Sequence, residues 1–301
     1  QAGNLDVQLQ YATAWDENGN VTTWADAQGK QLEFKKAAGA EDEAILWEPG
    51  CTYALPELRV VNKGNLALKY KVAITGINGS AKLNTVIDWT IGDVAMGAEQ
   101  HLAAGESNAF TIKGHMQESA GNEYMNESID GIAITVAATQ DTVENDSFGN
   151  TYDEDAEYPI VAMDTLQELI NNATEPVSAK LEGNIAGSLT VPQGKDVTLD
   201  LNGFTLTGGD SHAILNHGTL CIKDSSGNGK IVASKANTSA LRNAAVCVID
   251  GGTFTRAAGV DNKWHTVENF GTMTFNGGKV IAEDGQSFAI VNGWNYINPG
   301  E

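Results

Sequence analysis

The sequence is poor in the residues that define several function classes. It has three cysteines, Cys51, Cys221 and Cys247, too few for a disulfide scaffold and without metal-ligand or thioredoxin-like spacing. Lysine and arginine total 18 against 39 aspartates and glutamates, and the net charge of −21 argues against nucleic acid and anionic membrane surfaces as partners. No run approaches the ~20 apolar residues of a membrane span, so no membrane insertion is expected. The five histidines, His101, His115, His212, His217 and His265, include no H-E-x-x-H arrangement, which leaves a zinc protease without its ligands. Strong helix signals are lacking before residue 160. Only six prolines accompany 33 glycines, a balance that favours a turn-rich all-β chain over a disordered one.

A repeat fills residues 199–292. Ile214-Leu215-Asn216, Leu241-Arg242-Asn243, Val267-Glu268-Asn269 and Ile290-Val291-Asn292 align with one another. Behind them stand three apolar columns: Leu199, Leu220, Cys247, Met273; then Leu201, Ile222, Ile249, Phe275; then Leu206, Ile231, Phe254, Val280. Apolar residues two apart with a variable residue between them are the period of a strand with one buried face. Asn202-Gly203, Asp250-Gly251-Gly252 and Asn276-Gly277-Gly278 supply corners that glycine allows. The pattern predicts a parallel β-helix of about five coils, right-handed by the general rule for parallel crossovers. Asn216, Asn243, Asn269 and Asn292 are expected to stack as a structural ladder, bonding backbone at the turn and doing no chemistry. Cys247 falls in an inward slot and Cys221 in an outward one, so a disulfide between them is not expected. Arg242 and Glu268 take outward slots in adjacent coils and read as a surface ion pair.

Residues 1–158 carry long alternating strands: Leu5 to Tyr11, Leu68 to Ile74, one beginning at Phe110 and Ile112, and Ile132 to Val136. Each has one wet and one dry face, as in an antiparallel, jelly-roll-like β-sandwich. Residues 85–100 are read as a short helical or irregular piece. Between the domains, 141–157 is acidic without a basic residue. Its hard oxygen ligands suit calcium, but the spacing is not that of an EF-hand, and a solvated linker is the simpler reading. No other cofactor is implied. Asp164-Thr165-Leu166-Gln167 then suggests a capping box opening an amphipathic helix over about 164–172, placed to plug the first coil. The second domain spans 159–301, with coils from about Val177.

Three blocks of the first domain resemble a known family. They are Ala2-Gly3-Asn4-Leu5-Asp6-Val7; Trp47-Glu48-Pro49-Gly50 followed by Leu58 through Asn65; and Ala138 through Asn150. In that order they are similar to TasA/camelysin-type proteins over about residues 1–155. The resemblance implies a secreted Gram-positive cell-surface or biofilm-matrix protein with a jelly-roll fold. It also implies self-assembly in which an N-terminal strand is donated to a neighbour. The chain opens at Gln1 and closes at Glu301 directly after a coil, and is expected to come from a longer precursor.

Two loop insertions, Asp224–Gly229 and Ala257–Trp264, project from the coils, where solenoids usually keep their specificity. Trp264, His265 and Trp294 are the candidate contacts for a glycan or host-surface ligand. The main enzymatic rival is a polysaccharide lyase or glycosidase, which needs a base beside carboxylates on one face. Asp200, Asp210, Asp224, Asp250, Asp261 and Glu268 look scattered over different faces, and the negative charge would repel a polyanion. The expected role is therefore non-catalytic, extracellular and structural or adhesive. Carbohydrate binding or processing is the alternative.

Overall fold

A computed structural model describes residues 3–36, 45–75, 78–79, 81–92, 96–124, 127, 129–130, 132–141, 156–260, 264–282 and 288–293. It is nearly all β: antiparallel sheets in the first part, then a parallel β-solenoid of about five turns. The chain divides into two compact units, Gln1–Ala156 and Glu157–Glu301.

In the first unit a four-stranded antiparallel sheet has Val7–Trp15 and Leu58–Asn62 at its centre, with Val21–Asp26 and Ser107–Phe110 at its edges. A second sheet has Leu68–Thr75 between Ala133–Gln140 and Gln100–Leu102. A third has Ile112–Met116 between Thr52–Ala54 and Ile87–Ile91. Their dry faces meet in one core: Leu58 and Val60, Leu68, Tyr70, Val72 and Ile74, Ile91 and Ile112, with Val7, Leu9 and Tyr11 packed against it. The strand expected to run through Phe110 and Ile112 is two strands. It breaks at Thr111, and its halves join different sheets. The piece expected to be helical or irregular at 85–100 instead holds the strand Ile87–Ile91, preceded by one helical turn at Ala81–Asn84. Trp89 explains the strand. It stands opposite Gly114, where an added Cβ would lie 2.8 Å from Trp47 and 2.9 Å from Trp89. Trp47 and Trp89 meet edge-on with centroids 6.1 Å apart, and a glycine notch is what admits both indoles.

The solenoid has three sheets. The first holds Tyr158–Ile160, Val177–Leu181, Asp196–Asp200, Thr219–Lys223, Val246–Ile249 and Thr272–Phe275, all parallel. The second runs from Ile185–Ala186 to Lys279–Val280, and the third from Leu189–Val191 to Ile290–Asn292. The column Leu206, Ile231, Phe254, Val280 stands as read from the sequence. The other two apolar columns need a correction in their first coil: Val197 sits beside Leu220, and Leu199 beside Ile222. Leu201 lies past the strand, its N–H bonded to Lys223 O. A shift of two residues leaves every side chain on its own face, so alternation alone cannot detect it. The solenoid also begins one strand earlier than Val177. Tyr158–Ile160 is short and carries Pro159, which an edge strand tolerates because one side of its backbone needs no partner.

The helix spans Met163–Asn171 and buries Leu166, Leu169 and Ile170 completely. The expected capping box does not form. Ala162 is the N-cap, and no side chain caps it. Gln167 has another task. Its Nε2 donates to Thr190 O at 2.8 Å, and its Oε1 accepts from Thr190 N at 2.8 Å. One side-chain amide thus supplies the hydrogen bonds of a missing strand at the open edge of Leu189–Val191. Met163 packs on Gly187, where a Cβ would fall 2.7 Å from its Cγ.

Candidate functional site

The four ladder asparagines stand directly beside one another in successive coils. Asn216 Nδ2 donates to Asn243 Oδ1 at 2.7 Å, Asn243 to Asn269 at 2.7 Å and Asn269 to Asn292 at 2.6 Å. The second amide hydrogen turns to backbone: Asn216 bonds Val246 O and Asn243 bonds Thr272 O. Their oxygens also take Gly218 and Gly271 N–H at the turn. With Asn216 and Asn243 fully buried, these amides are saturated by the fold and offer nothing to a substrate.

The acids that looked scattered are partly gathered. Asp200, Asp224 and Asp250 all follow first-sheet strands at one corner of the solenoid. Asp200 Oδ1 accepts from the N–H groups of Asn202 and Ser225, at 2.8 and 2.9 Å. Asp224 accepts from Gly203 at 2.8 Å and Gly229 at 2.7 Å, clamping the Asp224–Gly229 insertion. Burial disfavours the Asp200 carboxylate, but its bonds from Ser225 and Asn202 and the Lys223 charge outweigh this and hold it below the usual range. These aspartates staple turns. For Asp200 the signal in the sequence was Asp two residues before the turn Asn202, an Asx pattern; for Asp224, whose partners are Gly203 and Gly229, no such local signal exists.

Arg242 and Glu268 are adjacent in the third sheet as expected, but the pair is not a surface one. Glu268 is 2% exposed, and Arg242 Nη1 stands 3.8 Å from its Oε2. The same carboxylate oxygen accepts from the buried Ser239 hydroxyl at 2.9 Å. His212 Nδ1 accepts from Ser239 N–H at 2.9 Å. That bond fixes the neutral tautomer with its proton on Nε2. Burial pushes His212 below its ordinary value, with Arg242 adding to the effect and Glu268 opposing it. A serine, a histidine and a glutamate therefore converge. Yet the serine is fully buried and gives its proton to Glu268, so it presents no nucleophile. Burial likewise pushes the Cys247 thiol up to about 12, and all three cysteines are free.

Trp264 and His265 sit at the same corner as His212 and Ser239, one coil further on. Their rings tilt together at 5.8 Å, and His265 meets Phe288 at 5.7 Å. Phe288 is 67% exposed at the end of this stack. Phe270, 38% exposed, lies 5.0 Å from the Arg242 guanidinium. Trp294 lies outside the described residues, as do residues 142–155 of the acidic segment proposed for calcium. Among the described residues no group of three or more His, Cys, Asp or Glu side chains could hold a metal ion, and no helix is long and apolar enough to cross a membrane.

The first unit holds a feature that sequence reasoning missed. A cleft of about 1080 Å³ opens between its two larger sheets, lined by Val7, Leu9, Leu32, Phe34, Ile134 and Val136. Among the described residues, Ala133–Gln140, on one wall, is an edge strand whose eight residues pair with Leu68–Thr75 on one side only. On the other wall, pairing between Val7–Trp15 and Val21–Asp26 stops at Gln10 and Asp26, so Val7 lies beyond the last rung. Half-buried apolar side chains thus stand beside unpaired backbone. Pairing order is a tertiary property, and the alternation of Ile134 and Val136 did not reveal which strand would be left at an edge.

No protein-family model, no curated protein and no solved structure matches the chain, so the TasA/camelysin resemblance stands without a match behind it, and the architecture established is antiparallel sheets followed by a β-solenoid.

Proposed function

We propose that this chain is a non-catalytic extracellular structural or adhesive protein of a Gram-positive cell surface or biofilm matrix, and that it self-associates by strand addition. The cleft beside Ala133–Gln140 carries the reading. Its apolar floor, and an edge left unpaired among the described residues, are the two things an incoming strand uses: side-chain pockets on alternate residues and main-chain hydrogen bonds. The TasA/camelysin resemblance supports the same mode of assembly and the same location. The high negative charge suits a soluble secreted protein whose copies repel until a specific contact forms. The second reading is glycan contact by the solenoid, favoured by the ring stack that ends in the exposed Phe288.

The test is negative-stain electron microscopy of the secreted protein with its natural termini. Filaments are expected, and Ile134→Asp, which puts a charge on the cleft floor, is expected to abolish them while circular dichroism keeps its β signature. Monomers from the unmodified protein would sink the assembly reading and leave glycan contact as the one to pursue.

A further inference from the structure

The sandwich opens on its second side as well. There the edge strand Ser107–Phe110 of one sheet faces the edge strand Gln100–Leu102 of the other. Between them lies a cavity of about 340 Å³, within the size range of small-molecule sites. Small residues leave this space. Gly97, Ala98 and Ala109 line it where larger side chains would close it, and Gly97 is held at φ +72°, a conformation that favours glycine.

Its wall sets apolar side chains beside the polar groups of Gln100, Ser107, Asn108 and Tyr70. Val72 and Ile91 are each 5% exposed, and Phe110 closes one side. Tyr70 is 2% exposed, and Asn108 Nδ2 lies 3.1 Å from its hydroxyl oxygen. With the amide donating, the phenol is an acceptor and its own O–H is left over. With the amide turned, Tyr70 donates to Oδ1 and the Asn108 NH₂ is left over. Either way the pair keeps donor hydrogens beyond its mutual bond, and these are available at the cavity wall. Among the described residues that line it no side chain is charged, so an ionic guest would find no ion-pair partner there.

We propose that this cavity binds a small neutral molecule with an apolar body and one oxygen acceptor, the oxygen meeting the Tyr70–Asn108 pair. The site is independent of the cleft and of strand addition. Acetophenone carries such an oxygen, and ethylbenzene has nearly the same shape without it. Saturation-transfer NMR on the full chain should show acetophenone binding about tenfold tighter than ethylbenzene, the worth of one hydrogen bond. Tyr70→Phe should erase the preference, and Asn108→Leu reads the same loss if the tyrosine variant misfolds. Ala98→Trp, which fills the cavity from its rim, should abolish binding of both. Absence of acetophenone binding to a folded chain overturns the proposal. So does binding that survives Ala98→Trp, or a preference that survives in both Tyr70→Phe and Asn108→Leu.

Discussion

At the scale of the residue, one asparagine shows how much a repeat can hang on a single amide. Asn243 accepts from Asn216, donates to Asn269 and reaches Ala245 O and Thr272 O, all with no exposure. Replacing it by alanine strands donors and acceptors on both neighbouring coils at about 1–3 kcal/mol each. Asn243→Ala is therefore expected to cost about 3 kcal/mol or more, and Asn292→Ala, exposed at the end of the ladder, under ~1 kcal/mol. Urea midpoints of the two variants decide it, and equal losses would mean the ladder is decoration. The ladder was readable because its column is an invariant letter at a fixed place in each coil. Glu268 was not readable in the same way. Its outward slot was right, but burial by Ser239, His212 and Arg242 depends on corners that meet only after the coils stack.

At the scale of the element, the helix Met163–Asn171 was expected from its apolar spacing and found within one residue, because Leu166, Leu169 and Ile170 need a 3.6 period to share a face. Its polar residues were assigned the wrong work. Asp164 and Gln167 have the letters of a capping box, but Asp164 bonds the N–H of Thr165 and Gln167 points away to a strand. The end of a solenoid exposes unpaired backbone, and that tertiary demand takes precedence over a local cap worth ~1 kcal/mol. Gln167→Leu keeps the bulk and removes both bonds to Thr190. Expected is a stability loss of about 1–3 kcal/mol and faster hydrogen exchange at the Thr190 amide, with little change at Leu215 one coil inward. Unchanged exchange at Thr190 would show that the helix backbone alone protects that edge. The register of the first coil belongs to this scale too. Sequence columns placed Leu199 beside Leu220; the true pairing lies two residues over, with the Asx turn at Asp200 and the bond from Gly203 N–H to Asp224 tying the two coils together at the corner.

At the scale of the whole molecule, acid acts in two opposed directions. The chain carries −21 net charge near neutrality, and protonating carboxylates relieves that repulsion. Against this stand, in the solenoid, two groups whose folded forms resist protonation. His212 is held below its ordinary 6.5, and its Nδ1 already takes the Ser239 N–H, so a proton there would set donor against donor. The unfolded chain then takes up the proton first. His212 contributes stability in full above about pH 6.5, and that contribution is lost as pH falls below it toward the folded value. Asp200, lowered from 3.8, has the same sign in a more acid window. Its contribution is present above that value and lost as pH falls through the folded one. Thermal unfolding of the full chain should therefore show the solenoid transition falling in two stages on acidification, the first starting just below pH 6.5. In His212→Gln the first stage should flatten and the second persist. A first stage that survives in His212→Gln would place the titration elsewhere, and a transition that rises on acidification would mean that relief of charge repulsion outweighs both groups. The histidine window opens before any carboxylate window, so the solenoid is predicted to soften in acid before the sandwich does, since His212 belongs to the second unit.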